Sequence, residues 1–161
     1  MQTFHLQNRP DREIIDDNEI TGILNNGKFV SISMCRNNEP YIVTLSYGYS
    51  QDSNCLYFHS STKGLKLDFI KENPNVCATV IEDGGYIPNE CAHQYKSVVF
   101  WGNMSIVTDL DEKKHGMLTL LNHLEKGPDV IKEMLLKSDA SYSRMEILKL
   151  EITQIHGKAG R

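Results

Sequence analysis

The chain has 161 residues, of which 40% are hydrophobic and 24% charged, with a formal net charge of −4. That balance fits one globular domain with enough apolar content to build a core unaided. Mild acidity with scattered lysines and arginines excludes a nucleic-acid or anionic-membrane surface as the main function.

The start, MQTFHLQNRPDREIIDD, lacks the apolar centre of a signal peptide, and its first ten or so residues read as an arm. No run is long and apolar enough to cross a membrane. A single cytoplasmic domain over residues 1–161 is therefore expected. DDNEITGILNNG reads as a short helix: Asp16 and Glu19 stand at capping-box spacing, and Gly27 can end it in the left-handed region. KFVSISMC alternates as a strand, RNNEP is a turn by composition, and YIVTLSYGY is a second, β-branched and aromatic strand. After SQDSN comes a third strand, CLYFHS. Short turns between them predict an antiparallel meander, with Tyr41 to Ser46 running beside Leu56 to Ser60.

A helix is expected from about Gly64 to Glu72, stopped at Asn73–Pro74. NVCATVIE is a fourth strand and DGGYIPNECAHQY a Gly- and Pro-bearing loop. KSVVFWGNMSIVTDL is long enough for a bent strand with a corner at Gly102. DLDEKKHGMLTLLNHLEKG is the clearest helix, with Asp109 and Glu112 as its capping pair. PDVIKEMLLKS is another, opened by Pro128. RMEILKLEITQI closes the fold as an alternating strand. The order predicts a mainly β, α+β architecture, an antiparallel barrel with flanking helices.

The four cysteines contain no CxxC pair, and three lie in apolar, strand-like runs. They read as core thiols rather than as a disulfide framework or zinc site. Cys91 and His93 offer two ligand types without a third, so no metal is expected. His115 and His123 lack paired i, i+4 spacing and read as surface residues. Trp101 reads as a core or dimer-interface residue.

HSSTKGLKLDFIKENP, residues 59–74, carries the chemistry. A helix start exposes unpaired N–H groups at a positive dipole end. Ser60, Ser61 and Thr62 add hydroxyls, and Lys63 and Lys66 add charge, as a phosphate monoester requires. The alternative is a polar turn whose hydroxyls cap the helix and whose lysines are solvated. The local sequence alone leaves both open.

PYIVTLSYGYSQDSNCLYFHSSTKGLKLDFIKENPNVCATVI resembles the pyridoxamine 5′-phosphate oxidase-related flavoproteins, especially the 5-nitroimidazole resistance-like branch. The likeness continues through YKSVVFWGNMSIVTDLDEKKHGMLTLL to EITQIHGKAG. It implies an FMN-binding split β-barrel, homodimeric, with FMN at the subunit interface. By the same resemblance, Val43, Thr44, Leu45 and Ser46 lie along the isoalloxazine ring. His59 and Ser60 reach the phosphate or ribityl chain, and Lys66 pairs with the phosphate with Lys63 nearby. Ser97 contacts the ring from the second subunit. Leu65 stands where many relatives carry a further basic residue or histidine, and Thr44 where relatives often carry proline. The substrate-holding aromatic and arginine residues of the true oxidases have no convincing match near the C-terminus, so vitamin B6 turnover is not expected.

The expected activity is FMN-dependent reduction of a small acceptor, such as a nitroaromatic or quinone, with NAD(P)H as donor. No catalytic acid or base is assigned. The alternatives are a barrel that holds flavin or haem without turnover, with His59, His93 or His156 as axial candidates, and a flavin-free interaction domain.

Overall fold

The computed structural model describes residues 9–160; the N-terminal arm expected from the sequence falls largely outside them. A 3₁₀ turn at Pro10–Arg12 leads to β1 (Glu13–Ile14) and α1 (Asp17–Asn26). Asp16 caps α1 by accepting from the Asn18 N–H at 2.9 Å. Gly27 follows with φ −62°, outside the left-handed region expected of it. Its smallness serves packing instead, because a Cβ there would run into the Tyr47 hydroxyl and Val80.

Strands β2 (Phe29–Arg36) and β3 (Glu39–Ser46) form a hairpin around Asn37 and Asn38, both at positive φ, which asparagine tolerates. The predicted second strand breaks at Tyr47. That side chain is buried, and its hydroxyl donates to the Leu24 carbonyl at 2.7 Å. The chain resumes as β4 (Gly48–Ser50), and the backbone of Leu120 lies where a Gly48 Cβ would stand. Next come β5 (Cys55–Ser60), α2 (Leu65–Glu72), β6 (Asn75–Ile87) and β7 (Ala92–Ile106). Most of the segment read as a loop, residues 83–95, is therefore strand. Its alternation continues through Tyr86 and Tyr95, and a bulge between Asp83 and Gly85, with Gly85 at φ +92°, absorbs the glycine pair. Helices α3 (Leu110–Leu124), α4 (Pro128–Leu135) and α5 (Asp139–Tyr142) precede β8 (Glu146–Gly160).

All pairings are antiparallel, in the order β3-β2-β6-β7-β8-β5-β4, with β1 on β8. The meander stops after its first hairpin: β5 pairs with β8 and β4, and β3 pairs only with β2 among the described residues. The sheet curls until β3 and β5 approach each other without pairing. This is a split β-barrel. Its inner face packs Val30, Ile32, Phe58, Val98, Phe100 and Leu150. A second cluster, with Cys55, Tyr57, Met117, Leu121 and Ile147, fastens α3 outside β5. Gly102 sits at a register shift where β7 runs against the Glu151 carbonyl.

The outer face of the five strands from β3 to β8 follows from the registers. Ile42, Ser33, Cys77, Trp101 and Gln154 form one row; Thr44, Ser31, Thr79, Val99 and His156 form the next. Ser46 pairs with Phe29, and Ile81 with Ser97, beyond them. Cys35 and Cys91 are exposed and Cys77 half-buried, so of the four cysteines only Cys55 is a buried core thiol.

Candidate functional site

The chain leaves β5 at Ser60, passes through an elbow and enters α2 at Leu65. Gly64, before the first helical residue, has φ +147° and ψ 158°, a conformation open essentially to glycine alone. None of the elbow hydroxyls caps the helix. Ser60 donates to the Ser61 carbonyl at 3.0 Å and Ser61 to the Lys63 carbonyl at 2.7 Å. The first α2 N–H groups therefore keep no side-chain acceptor, so of the polar-turn alternative the hydroxyl capping fails on geometry while the solvated lysines stand. Lys63 is exposed and Lys66 half-exposed. Among the described residues neither has a carboxylate within ion-pair distance.

The other predicted residues divide by face. On β3, Val43 and Leu45 turn inward against the core, while Thr44 and Ser46 are exposed outside. Thr44 Oγ1 is 2.9 Å from Ser31 Oγ on β2. On β5, Ser60 is buried on the barrel side and His59 is exposed on the α3 side, so adjacent residues address opposite faces. Ser97 is buried in β7, three strands from β3 and so about 14 Å away. Within one chain it does not meet β3.

The expected strand pairing of Tyr41–Ser46 with Leu56–Ser60 is corrected by the sheet order. The correction has a chemical consequence. Because β3 is an edge, alternate N–H and C=O groups along its free side have no strand partner. The split therefore has two strands as its lips, one of them with an unpaired backbone, and the α2 elbow begins where β5 ends.

A cavity of about 620 Å³ lies elsewhere, at the base of the β6–β7 hairpin, and none of the predicted residues lines it. Its walls include Glu13, Asp16, Glu19, Glu82 and Asp83, and Lys96 there is paired with Glu19 at 2.8 Å. Such a lining repels a phosphate. The elbow, with two unpaired lysines and open helix donors, suits one.

The sequence reading missed several neighbours. His123 is half-buried rather than a surface residue, with Nε2 2.6 Å from the Gly27 carbonyl. Of the two places read for Trp101, core and dimer interface, the structure excludes the first: the side chain is half-exposed on the outer sheet face, edge-on to His156 with centroids 6.1 Å apart. Phe29, Ser31, Ile42 and Ile81 join it there. Their signal was the alternation in KFVSISMC, YIVTLS and NVCATVI, whose outward positions carry no charge.

Comparison with known proteins bears on this geometry. The fold resembles a candidate 5-nitroimidazole antibiotic resistance protein from Bacteroides thetaiotaomicron, at TM-score 0.78 and 23% identity over 92% of this chain and 86% of that one. It also resembles an FAD-binding protein from Mesorhizobium loti, at TM-score 0.68 and 24% identity over 93% and 96%. A third likeness is to an FAD and haem binding protein from Mycobacterium smegmatis, at TM-score 0.76 and 16% identity over 93% and 74%. In sequence, an uncharacterised protein of Rhizobium meliloti (strain 1021) is 29% identical over 116 residues, 72% of this chain and 71% of the relative. The family described as pyridoxamine 5′-phosphate oxidase matches residues 16–159, nearly the whole of the barrel and its helices. The chain belongs to the pyridoxamine 5′-phosphate oxidase family.

Proposed function

We propose that this chain is an FMN-dependent reductase that works as a homodimer. The observation that carries the reading is the pair of unsatisfied backbone features at the barrel split: the free edge of β3 and the uncapped start of α2. A flat heterocycle can hydrogen-bond along the first while its phosphate takes the second, with Lys66 and Lys63 supplying charge. Thr44 and Ser46 offer hydroxyls on the outer side, and Val43 and Leu45 stiffen the strand from within. Ser60 accepts through its hydroxyl oxygen, and His59 bounds the elbow on the α3 side. When bound, the flavin supplies electron transfer between a nicotinamide donor and a small acceptor such as a nitroaromatic or quinone. The protein's part is to position that group and to limit access by water.

The second subunit enters through the outer sheet face. The rows from Ile42 to Gln154 and from Thr44 to His156 hold no Lys, Arg, Asp or Glu, and the third, from Ser46 through Phe29, Ile81 and Ser97, meets its one charge at Lys158 on β8. Phe29, Ile42 and Ile81 are 65%, 66% and 61% exposed. An outward sheet face in water ordinarily carries charge, whereas the centre of a protein interface is depleted of it. A two-fold contact brings a face against its own copy, so a face nearly free of charge limits self-repulsion. Five strands by three rows present about 500 Å² of flat area per copy, or about 1,000 Å² for two, near the lower bound for a specific contact. Ser97, remote from its own β3, then has the partner's site within its scope.

Colour is the first test. Purified protein incubated with FMN and desalted is expected to keep flavin absorbance and to oxidise NADH or NADPH when a nitroaromatic or quinone is present. Protein that retains no flavin overturns the reading, and protein that binds FMN but leaves both nucleotides unoxidised reduces it to flavin storage.

A further inference from the structure

The outer face does not end with the barrel. Strand β8 stops pairing at Gly160, opposite Tyr95 of β7, and β2 meets β6 only from Thr79 to Cys77. Beyond Asp83 and Tyr95, β6 and β7 therefore continue as a ribbon of two strands, with no third strand among the described residues. A lone two-stranded ribbon is marginally stable in water. Its outer side nevertheless carries an ordered aromatic pair. Alternation from Ser97 places Tyr95 and then His93 on that side, and Tyr86 is the register partner of His93. His93 Nε2–H donates to Asp83 Oδ1 at 2.7 Å, which holds the imidazole with its ring centre 6.3 Å from that of Tyr86. Tyr86 is 58% exposed and His93 is exposed, so no described residue of their own chain covers this surface. The nearest cation of the face, Lys158, stands over the Tyr95 ring at 5.9 Å, at the base of the ribbon rather than at the aromatic pair.

Resting on the reading that a second copy covers the outer face and that flavin sits at the split, we propose that the ribbon of one copy walls the acceptor side of its partner's flavin site. Tyr86 and His93 are then specificity-determining residues for flat aromatic acceptors. Continuity carries the argument. Tyr95 and His93 lie about 7 and about 13 Å along β7 from Ser97. A partner site within the scope of Ser97 is thus only one or two outward side chains from the ribbon. The bulge after Asp83, with Gly85 at φ +92°, bends that ribbon off the line of the sheet. Docking gives each surface what it lacks alone. The ribbon gains a layer to pack against, and the flavin site gains ring walls on which a quinone or nitroaromatic can lie flat.

Two readouts test this, one of them independent of turnover. Hydrogen exchange over residues 84–94 would be compared in wild type and Phe29→Glu, both without flavin, with sedimentation recording the oligomeric state of each. The expected result is exchange slower by about 10-fold or more in the wild-type dimer than in the variant monomer. With FMN bound, Tyr86→Ala, a change at an exposed site, is expected to raise the KM for 1,4-naphthoquinone by about 5-fold, as loss of one ring contact implies, and Tyr86→Phe to restore it. A wild-type dimer whose ribbon exchanges as fast as the monomer's overturns the ribbon contact. Slow exchange with an unchanged KM in Tyr86→Ala overturns the acceptor wall, as does FMN-bound protein that reduces no acceptor. Should Phe29→Glu not yield a folded monomer, the KM comparison decides alone. Wild type that is monomeric, or that retains no FMN, overturns the second-copy or the flavin reading itself, and this inference with it.

Discussion

Two residues set the chemistry of the elbow, and a third, His123 beside Gly27 and Tyr47, bears on stability. Gly64 at φ +147° holds the turn into α2, so Gly64→Ala should cost about 1–3 kcal/mol of stability in urea unfolding and weaken FMN binding as well. Lys66→Ala should leave the fold intact. If its ammonium meets the phosphate, FMN binding should weaken by about 1.5–3 kcal/mol, roughly 10- to 150-fold in Kd by fluorescence titration. An unchanged Kd would make Lys66 a solvated surface residue. His123 acts on stability rather than on binding. Burial pushes its pKa below the ordinary 6.5, against the opposing pull of its bond to Gly27. The unfolded chain therefore binds the extra proton first, and stability is lost as pH falls through about 6.5. Melting curves should show a lower Tm at pH 5.5 than at pH 7.5, with a smaller drop in His123→Gln.

At the scale of elements, local signals were legible and long-range ones were not. The Asp109 cap of α3 was readable, and its carboxylate accepts from the Glu112 N–H at 2.9 Å. The Asn37–Asn38 turn and Pro128 at the start of α4 were equally plain. The fate of β5 was hidden, because its main partner is β8, nearly ninety residues later, and nothing near Cys55–Ser60 encodes that pairing. Glycine and proline disguised the β6–β7 hairpin as a loop, although alternation survived within it. The residue types of the elbow were visible in sequence, but their refusal to cap the helix was not. Only geometry shows the hydroxyls turned onto their own loop carbonyls. Gly102 was legible as a corner, and its cause is now plain: a side chain there would meet the Glu151 carbonyl of β8. Gly102→Ala should therefore destabilise by about 1–3 kcal/mol in urea, since a backbone oxygen cannot step aside as a side chain can.

For the whole molecule, the barrel spends one face on a core and leaves two outer rows across five strands without charge. The inner face explains folding, and under the proposed function the outer one is covered by a second copy. In that arrangement Phe29→Glu, placed where a two-fold contact sets like against like, should give a monomer by sedimentation at concentrations where wild type is dimeric. The monomer should also lose flavin, because each site would lack the partner's Ser97 strand. The free side of β3 has a further bearing on the life of the protein in the cell. An exposed ribbon of unpaired amides templates strand addition from any other chain, and Pro40 guards only its beginning. If FMN covers this edge as proposed, the protein should be most vulnerable to fibrillar association before FMN binds. Thioflavin T growth that is slower with FMN added than without it would show it, and would tie the protein's persistence to the supply of the proposed ligand.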